Sequence, residues 1–163
     1  MMKTIDVNES KVCDKDINNL NKAFEIASIA HSGQKDKTGK EYINHPIAVS
    51  KMCNTIETKI VGLLHDVVED TNVTIDYLKQ FFSREIIEAI DLLTKREPLD
   101  IKEYYRKIKE NKIAKEVKLA DLSHNMDLSR FEEGKITQWD LIRNEKYKKF
   151  YAYLIGKTDE IVM

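Results

Sequence analysis

Apolar residues recur along this chain at intervals of three and four, the spacing that lays a stripe along one face of an α-helix. Leu20, Phe24, Ala27 and Ala30 mark a first helix, closing at Gly33. The polar stretch Gln34 to Glu41 predicts a loop. Pro46, a natural first-turn residue, opens a second helix through Ile47, Val49 and Met52. A third runs through Gly62-Leu63-Leu64 and carries His65-Asp66. Thr74, with Asp76 in the first turn, starts a short fourth helix through Phe81. Ser83 caps the next, whose core face is Ile86, Ile87, Ile90 and Leu93. Pro98 breaks the pattern, and Asp100 with Glu103 then resembles a capping box for a helix with Ile101, Tyr104 and Ile108 on one face. Ile113, Val117, Ala120 and Leu128 define the helix that contains Asp121, and Thr137 starts a C-terminal helix over 137–157 through Trp139, Ile142 and Leu154. No segment shows strand alternation, an internal repeat or low complexity. The expectation is an all-α fold, one compact domain over residues 1–163 with seven to nine helices.

The densest chemistry lies in Leu64-His65-Asp66-Val67-Val68-Glu69-Asp70-Thr71. On a continuous helix His65 and Glu69 share one face and Asp66 and Asp70 the adjacent one, so a single turn presents an imidazole and three carboxylates to one pocket. With no Lys or Arg among them, the three acids repel one another unless a cation neutralises them. A solvated acidic helix end would tolerate Glu69 and Asp70, but not an apolar Leu63-Leu64 leading directly into His-Asp, since buried charges need partners or a metal. Imidazole with carboxylate suits manganese, iron or zinc.

Composition narrows the partners. The 163 residues include 27 basic and 28 acidic side chains, a net charge of −1, so there is no basic field for tracking a nucleic acid polymer. No apolar run approaches membrane-spanning length. Met1-Met2-Lys3-Thr4-Ile5-Asp6 lacks the apolar core of a signal peptide. Cys13 and Cys53 are too few and too widely spaced for a disulfide framework and read as free thiols of a cytoplasmic protein.

One helix cannot close a metal shell. His45, fixed at a helix entrance by Pro46, and Asp121, with Asn125 one turn further on the same face, complete a nitrogen–oxygen donor set that leaves positions open for water and substrate. Glu69 and Asp70 can orient the water or accept its proton. Lys37, Lys40, Lys118 and Arg130 are the cationic candidates for phosphoryl oxygens, Lys37 first among them.

Four blocks, Ala30-His31-Ser32-Gly33-Gln34, Tyr42-Ile43-Asn44-His45-Pro46, Leu64 through Thr71, and Val117-Lys118-Leu119-Ala120-Asp121 through Asn125, stand within residues 23–130, about two-thirds of the chain. In this order they resemble the HD-domain metal-dependent phosphohydrolases, and more narrowly the small alarmone hydrolases and the hydrolase half of RelA/SpoT-type enzymes. The resemblance implies metal ligands at His45, His65, Asp66 and Asp121, usually for manganese. It implies a water-activating pair at Glu69 and Asp70, and substrate contacts at Asn125 and at Lys37. The reaction implied is removal of the 3′-pyrophosphate of (p)ppGpp, giving GDP or GTP. His31 and His124 read as supporting neighbours rather than ligands.

The chain departs from the family's pattern in places. Asp36-Lys37-Thr38-Gly39 puts an acid where the family has a guanine-stacking arginine, and Glu41 replaces a proline before Tyr42. The segment between His45 and His65 is shorter than usual, and Leu122-Ser123 replaces a basic-Leu pair. Two alternatives therefore stand beside the alarmone hydrolase: a phosphohydrolase of another nucleotide or phosphoester, and a non-catalytic nucleotide sensor, against which Glu69 and Asp70 argue. A synthetase activity is not expected of a chain ending at Met163. The segment 139–163 carries no readable motif, and its Tyr147, Phe150, Tyr151 and Tyr153 read as core or interface.

Overall fold

A computed structural model describes residues 13–163. The reading of the Met1–Asp6 stretch lies outside the described residues, as does the first part of the expected 1–163 domain. Nine α-helical segments and one 3₁₀ turn make up the described chain: α1 (Asp14–Ala30), α2 (Asn44–Met52), α3 (Ile56–Leu64), α4 (Val67–Asp70), α5 (Ile75–Leu78), α6 (Arg84–Leu93), α7 (Ile101–Glu110), α8 (Lys112–Met126), the 3₁₀ turn Leu128–Arg130, and α9 (Gln138–Leu154). The all-α expectation holds. No helix among the described residues is long and apolar enough to cross a membrane.

Helix α3 is the axis of the fold. Every residue from Thr58 to Leu64 is buried, apolar without interruption from Ile60 onward and with the Lys59 ammonium 3.4 Å from the Ser50 carbonyl. Its start is fixed by Thr55, whose hydroxyl accepts from the Thr58 backbone N–H, with Thr58 reaching back to Thr55. Helices α1, α2, α6 and α8 pack around α3, and α7 and α9 close over α8. The α2–α3 crossing is tight because residue 62 is glycine. A Cβ there would lie 3.0 Å from Ser50 Cα and 3.1 Å from Ser50 N, and the Ser50 hydroxyl is itself tied to the Lys59 carbonyl at 2.9 Å. Gly62→Ala is therefore expected to destabilise the protein, since an overpacking cost of about 1–3 kcal/mol outweighs a helix-propensity gain of about 1 kcal/mol. Urea titration of the two proteins would measure it.

Several expectations need correction. The helix expected to carry His65-Asp66 is interrupted there. α3 ends at Leu64, His65 is its C-cap and Asp66 the N-cap of α4. Asp66 bends the path at φ −108°, ψ −5° while the Asp70 N–H still reaches the Asp66 carbonyl at 3.0 Å. α2 begins two residues before Pro46, which remains within its first turn. α1 ends at Ala30, and Gly33 serves instead in the following turn at φ 82°. Ser83 holds the N-cap position of α6 without a side-chain cap bond. Asp100 caps α7 through the N–H groups of Lys102 and Glu103, but the Glu103 carboxylate turns to Arg106 instead of completing a box. Leu128 lies in the 3₁₀ turn beyond α8. Phe24, Trp139 and Ile142 face solvent. The core sides of their helices are Ala23, Ile26 and Ala27 in α1, and Phe150, Tyr153 and Leu154 with Asp140 and Asn144 in α9.

Candidate metal centre

Three helix ends and one helix face meet beneath a cleft of about 350 Å³. α2 delivers His45 from its first turn, the α3–α4 break delivers His65 and Asp66, and α8 delivers Asp121 from its buried face. His45 Nε2 lies 2.9 Å from Asp121 Oδ1 and 3.7 Å from Asp66 Oδ2. His65 Nε2 lies 3.0 Å from Asp66 Oδ2 and 3.5 Å from Asp121 Oδ1. His45, His65 and Asp121, all buried, bring one donor atom each within 4.8 Å of one another, and the half-buried Asp66 adjoins the two imidazoles.

The interruption at His65 has a chemical use. Its Nδ1–H donates to the Gly62 carbonyl at 2.6 Å, which fixes the ring and leaves Nε2 as the inward atom. That Nε2 is buried and has no hydrogen-bond partner. Set beside two carboxylates, that nitrogen calls for positive charge, which a proton or a divalent cation supplies. Burial opposes charge on His65, yet Asp66 and Asp121 outweigh it and draw a proton onto the ring, which a divalent ion would displace on binding. Burial likewise opposes ionisation of Asp66 and Asp121, and is overcome by His65 for the first and by Lys118 for the second, so both stay well below the ordinary carboxylate range.

Each donor is held from behind. Tyr42 donates to Asp66 Oδ2 at 2.6 Å, and burial with the Asp66 charge raises the phenol's pKa so that it remains a donor. Lys118 Nζ sits 2.9 Å from Asp121 Oδ2, and Asn125 Nδ2 donates to Asp121 Oδ1 at 3.0 Å. His124 stacks on His45 with the two Nδ1 atoms 2.7 Å apart, and burial and the adjacent Arg130 lower its pKa to about 4, so it stays neutral and can accept from His45. His31 is buried one step further out, with Nδ1 bonded to Gln34 at 2.9 Å.

Asp66, Glu69 and Asp70 bring their carboxylate oxygens within 4.8 Å of one another at the cleft edge. Glu69 Oε1 also accepts from the Lys95 backbone N–H at 2.7 Å, which anchors it across the cleft. Burial, then the charges of Asp66 and Glu69, raise Asp70 to about 6.

Of the cationic candidates, Lys37, Lys118 and Arg130 line the cleft and Lys40 does not. Lys118 is buried at the cleft floor, where it pairs with Asp121 at 2.9 Å. Asp36 lines the cleft too, but its Oδ1 accepts from Thr38 N–H at 2.8 Å, Thr38 hydroxyl at 2.6 Å and Lys40 N–H at 3.1 Å, so it shapes the loop. Sequence reasoning gave no role to Tyr42, Lys95 or Arg143 and read Tyr147 as core or interface, yet all four line the cleft. The α9 residues could have been found from Asp140, Asn144, Tyr147 and Tyr151, which recur at helical spacing on a polar face that the exposed Trp139 and Ile142 obscure.

Residues 23–126 match the family described as HD domain, more than half of the chain. The chain belongs to the HD-domain family. This HD-domain chain is 43% identical over 122 residues to the guanosine-3′,5′-bis(diphosphate) 3′-pyrophosphohydrolase of Borreliella burgdorferi, which covers 64% of the chain. It is 33% identical over 126 residues to the bifunctional (p)ppGpp synthase/hydrolase SpoT of Escherichia coli, which covers 68% of it. In both cases the matched part is 18% of the relative's length. A solved structure described as a metazoan ortholog of SpoT that hydrolyzes ppGpp superposes with a TM-score of 0.66 at 26% identity, over 93% of this chain and 92% of that one.

Proposed function

We propose that this protein is a manganese-dependent hydrolase that removes the 3′-pyrophosphate of (p)ppGpp, with His45, His65, Asp66 and Asp121 as the metal ligands. The observation that carries the reading is the buried, unpartnered His65 Nε2 turned toward two ionised carboxylates at the floor of a cleft. A divalent ion held there supplies Lewis acidity toward water and toward a phosphoryl oxygen. Glu69 and Asp70 sit at the cleft edge to orient the attacking water and take its proton. The water oxygen adds to the phosphorus that bears the 3′ oxygen, the P–O3′ bond breaks, pyrophosphate departs, and the ribose oxygen receives a proton. Lys37, Lys95, Arg130 and Arg143 offer donors to the phosphates, and Asn125 lines the same cleft while donating to the ligand Asp121. The names of the relatives and of the structural neighbour point to the same substrate.

Asp36 favours a second reading, hydrolysis of a different nucleotide, because a carboxylate cannot stack on a base as a guanidinium does. The substrate in either case is a small nucleotide, and a cytoplasmic location, in keeping with the free thiols of Cys13 and Cys53, belongs to the same proposal. The test is pyrophosphate release from ppGpp by manganese-loaded protein, with chelator-stripped protein as the control. Release that disappears on stripping and returns with manganese is expected. A manganese-loaded protein that leaves ppGpp intact but cleaves another nucleotide in a panel would replace the substrate and keep the centre.

A further inference from the structure

Lys118 is the most unusual residue in the fold. Its side chain is 9% exposed, on a face of α8 that points into the core. A buried ammonium is rare unless something compels it. Its hydrogen-bond partner is Asp121 Oδ2 at 2.9 Å, two aromatic rings flank it, with Tyr104 and Tyr105 ring centres 5.5 and 5.7 Å away, and Lys95 stands over the same Tyr104 ring. Those rings are themselves fixed, Tyr104 by donating to the Leu93 carbonyl at 2.8 Å and Tyr105 by stacking on Phe150 at 4.2 Å. Aromatic faces attract a cation without competing for the carboxylate. The cage therefore holds the ammonium where Asp121 is its single anionic partner.

The two oxygens of Asp121 are thereby divided. Oδ2 faces away toward Lys118, while Oδ1 faces His45, His65 and Asn125. We infer that Lys118 is a positioning residue that confines Asp121 to one coordinating oxygen and cancels one of the two negative charges of the ligand set. The inference rests on the metal-centre reading above. The consequence is a cation held by less than its full complement of charge, with positive charge remaining for the substrate's phosphates. A site built for the tightest possible metal binding would leave Asp121 unopposed.

Removing the cation from behind the ligand then has a signature opposite to ordinary damage. Lys118→Met keeps the length and frees Oδ2. Lys118→Gln keeps a donor toward Oδ2 without the charge, and serves also if the methionine variant folds poorly. Both variants are expected to bind manganese more tightly, by about tenfold, because one repulsive charge near the ion is gone. Turnover at saturating substrate is expected to fall by about tenfold or more while KM changes little, since charge is withdrawn from the developing transition state. Cobalt-substituted protein separates the two parts of the role. The visible absorption should change in Lys118→Met, where the carboxylate can bite with both oxygens, and stay close to the original in Lys118→Gln. Calorimetric manganese titrations of the original protein and both variants, with the cobalt spectra, decide it. If affinity and turnover weaken together, or neither changes, and the methionine variant keeps the original spectrum, Lys118 is only a packed structural cation. If the original protein itself takes up no manganese, it is the metal centre that fails, and the two failures are told apart by that first titration.

Discussion

Asp66→Ala is expected to abolish manganese binding and to lower pyrophosphate release on the order of 10⁴-fold, the scale of losing a group without which the reacting assembly does not form. Asp66 stands where the three parts of the site meet. Its Oδ2 lies 3.0 Å from His65 Nε2 and 3.7 Å from His45 Nε2, and its carboxylate is also within 4.8 Å of Glu69 and Asp70. Deleting it leaves two imidazoles and Asp121, and removes the link between the proposed metal ligands and the proposed water-orienting pair. The fold should survive. Asp66 is the least buried of the four donors, and the hydrogen bond lost from Tyr42 costs about 1 kcal/mol where water can replace it.

The two effects separate in a thermal scan. Manganese at about a hundred times its dissociation constant stabilises a protein that binds it only when folded by roughly 2.7 kcal/mol. The original protein should gain that increment, whereas Asp66→Ala should melt at one temperature with or without the metal. A variant that still releases pyrophosphate in a manganese-dependent way would remove Asp66 from the ligand set and, with it, the mechanism built on the His-Asp pair.

How much of this was legible depends on which residues carry their context in their neighbours. His45 and Asp121 were readable because Pro46 and the apolar turn before Asp121 announce a fixed helix entrance and a buried helix face. The break at His65-Asp66 was not, because both residues keep right-handed dihedrals and the apolar periodicity runs through them undisturbed. What the break accomplishes, turning the His65 Nδ1–H back onto the Gly62 carbonyl, is a backbone event without a residue signature. Lys118 was misjudged for another reason. A lysine in a charged helix is ordinarily solvated, and only Tyr104 and Tyr105, carried in by α7, reveal that this one is enclosed. In the first half of α9 the sequence pattern pointed the wrong way round. Trp139 and Ile142 face solvent, while Asp140, Arg143, Asn144 and Tyr147 turn toward the cleft and only the second half, with Phe150, Tyr153 and Leu154, buries its apolar side chains. A polar cleft walled by a helix inverts locally the usual rule that polar residues lie outside.

Asp121→Ala is expected to be the most destabilising single change in the site, by about 3–5 kcal/mol, because it strands a buried ammonium without its counter-charge. Lys118 is buried at the cleft floor, and its aromatic cage attracts a cation too weakly to replace a carboxylate at 2.9 Å. Asn125 loses its acceptor in the same stroke. The double variant Asp121→Ala/Lys118→Met tests the cause directly. A buried ion pair exchanged for apolar groups is often close to neutral in stability, so the second substitution should recover more than half of what the first removed. Manganese binding and turnover should stay absent in both, since the proposed ligand oxygen is gone either way. Denaturant titrations of the four proteins in the cycle give the coupling energy. A double variant no more stable than Asp121→Ala would mean that the cost came from the cavity and the lost His45 and Asn125 contacts, and that Lys118 was never dependent on Asp121. A recovered stability with no recovered metal would show that one carboxylate serves two ends, Oδ2 answering to the core and Oδ1 to the chemistry.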